Sequence, residues 1–251
     1  MVADGHVTSR IDGRVGRLVL DRPASRNAIT SGMLREIVGL CEQIEEAGVD
    51  VVVLETTGPT FSVGFDLDEL AAGGTDGARA GADAIGALLE LRAVTVAVLR
   101  GWVVGGGAAL AAACDLRIGD PTVVVRIPEV PLGIPLGWGA MPLLVAELGP
   151  SAAKDLVMTG RDMFADEAHH RGFLTRLAAE DGLEALAAGL VGELLAVRSG
   201  PLRTTKAQAD AATAVLRTGG TDAELLIEAM NDPEFRDGFG AYLQRVRGND
   251  R

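Results

Sequence analysis

An α/β fold is the reading that three observations in this 251-residue chain support together. Apolar, β-branched runs at Val49–Thr57 and Val94–Leu99 have the length and composition of buried strands. Segments between and after them repeat apolar residues at helical spacing. Three consecutive glycines, Gly105 to Gly107, then lead from the second strand region into an alanine-rich helix. Strands alternating with helices in this way pack as layered α/β cores.

The elements follow in order. His6–Ile11 and Arg14–Leu20 predict a hairpin about Asp12-Gly13, a favoured turn dipeptide. Thr30–Ala47 predicts a helix with Met33, Ile37, Leu40, Cys41 and Ile44 on one side and Thr30 or Ser31 as its cap. After the strand at 49–57, residues 71–80 are rich in glycine and alanine and predict a flexible loop before a helix near Ala82–Leu91. Short strands are expected near Leu116–Ile118 and Val123–Ile127, and helices over 138–148, 151–158 and 165–171. From Leu183 onward the pattern is helical, punctuated by Gly200-Pro201, Gly219-Gly220 and Asp232-Pro233. The expected division is a core over 1–197 and a helical region over 198–251.

Composition narrows the classes of function. Thirty-five acidic residues against 23 basic ones give a net charge of −12, which argues against a general nucleic-acid surface. A local basic rim for an anionic ligand remains compatible with that balance. No apolar stretch reaches the roughly 18 residues of a membrane span, since Arg100 and the glycines interrupt Val94–Ala113. The first residues, with Asp4 and His6, lack a basic-then-apolar leader pattern. Two cysteines are too few for a disulfide framework, and no metal-ligand spacing occurs. A cytoplasmic protein without metal, membrane or nucleic-acid partners is the resulting expectation.

The glycine junction is the first candidate for chemistry. A strand–glycine–helix turn leaves backbone N–H groups unpaired where the helix dipole favours negative charge. Such a site can hold a phosphate or the developing oxyanion of a carbonyl. A P-loop would need Gly-Lys-Ser/Thr, whereas Ala108-Ala109 follow the glycines; a dinucleotide fingerprint would need Gly or Ala at Leu110. Close packing of helix on strand is the plainer alternative. A serine nucleophile elbow is missing around Ser62, and His169-His170 carry no HExxH pattern.

Five segments in one order carry a resemblance. They are Leu20–Ile29 (LDRPASRNAI), Phe61–Leu67 (FSVGFDL), Gly101–Asp115 with its GGG, Arg126–Pro135 (RIPEVPLGIP), and Leu148–Phe173 with Leu-Gly-Pro-Ser and Thr159-Gly-Arg. Together they resemble the crotonase superfamily, the enoyl-CoA hydratase/isomerase family, over about residues 7–180. The resemblance implies a spiral of ββα units with a C-terminal helical region that builds a homotrimer or a dimer of trimers. It implies an acyl-CoA thioester as substrate, with coenzyme A as part of that substrate and no further cofactor.

Site residues follow from the same resemblance. The N–H groups of Phe65 and Gly106 would form an oxyanion hole for the thioester carbonyl, and Glu129 would be the acid–base carboxylate. Asp66, which also suits a turn or cap, Leu67 and Trp138 would border the substrate. Arg22, Arg26 and Ala28 would border the coenzyme A nucleotide; Arg245 and Arg247 on the last helix are read first as solvated helix-face residues, with an approach to the nucleotide from a neighbouring subunit as the alternative. Burial beside Val130, Leu132 and Trp138 would raise the Glu129 pKa into a useful range. Ala109 stands where the family's hydratases carry a second glutamate. The resemblance with that departure favours isomerisation of a 3-enoyl thioester by one glutamate. Hydration of a 2-enoyl thioester is the alternative, with Asp68 or Glu69 as a substitute acid. A third reading is an acyl-CoA-binding protein without turnover.

Overall fold

The computed structural model describes residues 6–72, 75–214, 222–233 and 238–240. β1 (Val7–Asp12) and β2 (Val15–Leu20) form the expected antiparallel hairpin about Asp12-Gly13. β3 (Val51–Thr56), β4 (Val94–Leu99), β6 (Leu116–Gly119) and β9 (Arg176–Leu177) extend it with parallel pairings, in the order β1-β2-β3-β4-β6-β9. A second sheet joins β5 (Trp102–Val104), β7 (Val124–Arg126) and β8 (Asp162–Phe164), in that order.

Alternation along the central strands explains why they read as continuous apolar runs. Successive side chains point to opposite faces, and both faces are covered. Val52, Leu54, Ala97 and Leu99 join the main core, which α1 (Ser31–Ala47) and α3 (Asp76–Glu90) complete. Val51, Val53, Val96, Val98 and Ile118 face α8 (Leu183–Ala196) through Leu183, Leu190 and Val191. Helix α1 begins where its cap says it should: Thr30 Oγ1 accepts from Met33 N at 3.1 Å, an interaction worth about 1 kcal/mol. Met33, Leu34, Ile37, Cys41 and Ile44 are buried, while Leu40 is only half-buried.

Three expectations need correction. Much of residues 71–80 is helical: α2 (Leu67–Ala71) closes there, and α3 starts at Asp76 rather than near Ala82. The small residues serve packing, since a Cβ at Gly77 would sit 2.3 Å from the Phe65 ring. Gly200-Pro201 does not interrupt a helix; it lies in the first turn of α9 (Ser199–Thr213), where proline sacrifices no helical hydrogen bond. Strands β5, β8 and β9 are also additions, each two or three residues long and too short for an alternation pattern. Gly219-Gly220, Arg245 and Arg247 lie outside the described residues.

The remaining helices seat this framework. α4 (Gly106–Ala112) follows β5, α5 (Ala140–Leu148) and α6 (Pro150–Thr159) lie between β7 and β8, and α7 (Ala165–His170) follows β8. α9 is tied to the core by ion pairs, Arg203 to Asp50 at 3.0 Å and Lys206 to Asp115 at 2.6 Å. α10 (Asp222–Asn231) contributes buried Leu226 and Met230. Among the described residues no single helix is long and apolar enough to cross a membrane. Cys41 and Cys114 are free, and burial pushes both thiols up to about 12, so neither offers a thiolate at neutral pH.

Arg117 is a charged group buried inside this frame. It is 1% exposed, donates to Phe173 O at 2.7 Å and Cys114 O at 2.5 Å, and pairs with Glu147 at 2.5 Å. Removing one partner of such a pair strands the others. Arg117→Ala is expected to lower unfolding free energy by about 3–5 kcal/mol, read from urea titration; a loss below about 1 kcal/mol would contradict this assignment.

Candidate active site

Two crossing segments define the site. Residues 58–66 leave β3, and residues 100–106 leave β4, and the two pair along their length. Phe61 N donates to Arg100 O at 2.8 Å, Ser62 N to Trp102 O at 3.0 Å, and Val104 N to Ser62 O at 2.9 Å. Ser62 itself is buried and donates from Oγ to Asn27 O at 2.7 Å, a structural position rather than a nucleophile's. The chain between β2 and α1 closes against the same place. Ile29 N donates to Gly64 O at 2.8 Å and Asp66 N to Ile29 O at 2.7 Å. This parallel bridge uses the residues on either side of Phe65 and leaves the Phe65 N–H out of it. Gly106 opens α4, where first-turn amides have no acceptor within the helix.

Glu129 enters from the third direction, just beyond β7 and before a single 3-10 turn at Val130–Leu132. Its Oε1 lies where Gly105 has no side chain; a Cβ on Gly105 would approach it to 2.5 Å. Gly105 also has φ +50, a left-handed conformation that other residues avoid. The other oxygen, Oε2, is buried without a hydrogen-bond partner among the described residues. Burial therefore pushes the carboxyl up to about 7. Leu132 and Trp138 are neighbours in the cavity wall as expected, but Val130 points out and is 41% exposed.

Phe65, Leu67, Gly106, Ala109, Glu129 and Trp138 all wall one apolar cavity of about 100 Å³. Ala109 presents only a methyl group to this cavity. Trp138 and Phe65 meet edge to face at 5.9 Å, a favourable aromatic geometry. The outer wall is Leu70, Gly77 and Ala78 on one side and Leu226 and Met230 of α10 on the other; of these, sequence reading missed Leu70 and the two α10 residues. Nothing local marks α10 residues as cavity residues, since only tertiary folding brings them there.

A larger groove of about 520 Å³ shares Val63, Phe65, Leu67, Val104 and Pro128 with the cavity. Arg22, Arg26, Ala28 and Asp66 line this outer groove, not the inner cavity. Arg22 is engaged within the chain, donating to Asp66 Oδ2 at 2.6 Å and to Ala28 O at 3.1 Å. Asp66 also caps α2 through the amides of Asp68 and Glu69. Burial raises its pKa, but Arg22 and the two amides outweigh that and hold it below the usual carboxylate range. Arg126, which sequence reading passed over, joins the groove with its guanidinium 5.2 Å from the Trp102 ring and paired to Asp162. The substitute acids do not reach the cavity. Glu69 Oε2 accepts from Ser31 N and Oγ at 3.0 and 2.6 Å, and Asp68 lines the outer groove. No cluster of His, Cys, Asp or Glu among the described residues could hold a metal ion.

The model of the family described as enoyl-CoA hydratase/isomerase matches residues 10–249. The chain belongs to this family. It is an enzyme of the enoyl-CoA hydratase/isomerase type with the crotonase fold. Among its relatives is the "Enoyl-CoA isomerase/hydratase fer4" of Mycosarcoma maydis, 30% identical over 90% of this chain and 89% of that protein. The "Probable enoyl-CoA hydratase echA8" of Mycobacterium leprae is 34% identical over 70% of each chain. A Thermobifida fusca YX structure solved with acetoacetyl-CoA is 31% identical, with a TM-score of 0.76 over 100% of this chain and 97% of that one.

Titration of Glu129 links the site to stability. Its folded pKa near 7 lies above the ordinary carboxylate value of 4.5, so the folded state holds the proton more tightly. The stability this contributes is complete below about 4.5 and is lost as pH rises through about 7. Glu129→Gln is therefore expected to gain thermal stability relative to the parent between pH 5 and pH 8. A melting difference independent of pH over that range would show that the carboxyl titrates normally.

Proposed function

We propose that this enzyme moves the double bond of an acyl-CoA thioester from the 3- to the 2-position, with Glu129 as the single proton carrier. One observation carries the choice: among the described residues the inner cavity holds one carboxylate, Glu129, beside the methyl group of Ala109. The thioester carbonyl oxygen is received by the N–H groups of Phe65 and Gly106. Glu129 takes a proton from C2, the electron pair delocalises as a dienolate onto the carbonyl oxygen, and the same carboxyl returns the proton to C4. The double bond then lies between C2 and C3, with no atom gained or lost. Each amide facing the oxyanion contributes about 3 kcal/mol to the transition state by analogy with measured oxyanion-hole donors.

The apolar wall suits this chemistry. A base with a pKa near neutrality exists in both protonation states at working pH, as a group that must accept and return one proton requires. Hydration demands more, because a water has to be held and deprotonated while another proton is delivered to C2. Asp68 and Glu69, the candidate substitute acids, are outside the cavity. The coenzyme A portion is assigned to the groove lined by Arg22, Arg26 and Ala28; that a related Thermobifida fusca chain was solved with acetoacetyl-CoA supports an acyl-CoA ligand. A homotrimer or dimer of trimers belongs to the same reading.

The test is a paired assay on 3-enoyl-CoA and 2-enoyl-CoA. Conversion of the 3-enoyl thioester to a product of unchanged mass is expected, with kcat/KM rising as pH passes about 7 because the free enzyme needs an ionised Glu129. Glu129→Gln is expected to lower kcat by about 10²- to 10⁴-fold. A product heavier by one water from the 2-enoyl thioester would make the enzyme a hydratase. Binding of both thioesters without turnover would leave the site a binding site only.

A further inference from the structure

We propose that Trp138 limits the acyl chain, and that the substrates are thioesters of short acyl groups of about four to six carbons. This rests on the acyl-CoA reading of the site given above.

The size of the cavity is the first observation. An apolar protein cavity of about 150 Å³ accepts one benzene ring, six carbons. The inner cavity here is about 100 Å³, which leaves room for roughly four carbons beyond the reacting carbonyl. Among the described residues its side chains other than Glu129 are apolar or aromatic, which suits a hydrocarbon chain.

The backbone of Trp138 is the second and independent observation. Its φ is +62, in the left-handed region that a bulky side chain occupies only under strain. Strain of that kind persists where the surroundings over-determine a position with a role. The surroundings here are cut to the ring. A Cβ at Gly81 would come within 2.0 Å of it, and a Cβ at Gly106 within 2.3 Å. The ring is 6% exposed and stands edge-on to Phe65. Two glycines on separate helices thus make space for an indole that forms part of the cavity wall. Leu226 completes the wall from α10, pressed against Gly137 so closely that a Cβ there would approach it to 2.4 Å.

Calorimetric titration of the full chain with acetyl-, butyryl-, hexanoyl-, octanoyl- and dodecanoyl-CoA tests this without depending on turnover. Each methylene that finds apolar cover tightens binding about fourfold. Affinity is expected to rise from acetyl to butyryl or hexanoyl and to fall at least tenfold by dodecanoyl. Trp138→Ala is expected to bring dodecanoyl-CoA to at least the affinity of butyryl-CoA, and Leu226→Ala to shift the optimum by one or two carbons. Should Trp138→Ala fail to fold by circular dichroism, the parent profile and Leu226→Ala still decide. Equal parent affinity for butyryl- and dodecanoyl-CoA overturns the limit on chain length while leaving the acyl-CoA reading standing. An unchanged profile in folded Trp138→Ala removes Trp138 from that role. No binding of any thioester overturns the acyl-CoA reading, and this inference with it.

Discussion

A carboxylate oxygen buried without a hydrogen-bond partner costs a folded protein about 1–3 kcal/mol, and more when it is charged. Glu129 Oε2 is in that condition, and much of the surrounding architecture can be understood as the means of keeping it there. The group answers its burial by holding a proton up to about pH 7, so it stands near neutrality as an acid that ionises readily. A second carboxylate at position 109 would compete for the same apolar space and raise that value further through like charge. Alanine there leaves Glu129 alone with its proton.

The two sheets supply the geometry. Segments leaving β3 and β4 run so close that a Cβ at Gly101 would come within 2.3 Å of Pro59 O and one at Gly107 within 2.7 Å of Ser62 Cβ, while Gly105 makes way for the Glu129 carboxylate and Gly106 for the Trp138 ring. The parallel bridge at Phe65 turns one amide away from the bridge, while the start of α4 offers another. These amides, the carboxylate and the indole come from four separate stretches of chain. Their common rigidity rests on a sheet buried on both faces and on the Arg117 network that locks β6 to α5 and to the turn before β9.

How much of this was legible depended on the range over which each signal acts. The hairpin at Asp12-Gly13, the Thr30 cap and the strand at Val94–Leu99 are written locally, by turn chemistry, capping chemistry and apolar runs, and appear where expected. Residues 71–80 read as a loop because three glycines with Thr75 and Asp76 usually mark one. Here those small side chains make clearance for Phe65 across the cavity, a tertiary demand with no local trace. Phe65, Gly106, Glu129, Leu67 and Trp138 do converge on one cavity, whereas Arg22, Arg26, Ala28 and Asp66 border the groove beside it. Leu226 and Met230 were invisible because a helix far along the chain supplies a wall only once the chain has folded.

The central claim is that Glu129 titrates near neutrality because its environment is dry. Infrared difference spectroscopy, comparing the parent with Glu129→Gln across pH 4 to 9, reads that proton directly. A protonated-carboxyl band present in the parent, absent from the variant and vanishing with a midpoint near 7 is the predicted result. A midpoint near the ordinary 4.5 would mean that water reaches the carboxylate, and the single-carboxylate mechanism would lose its physical basis.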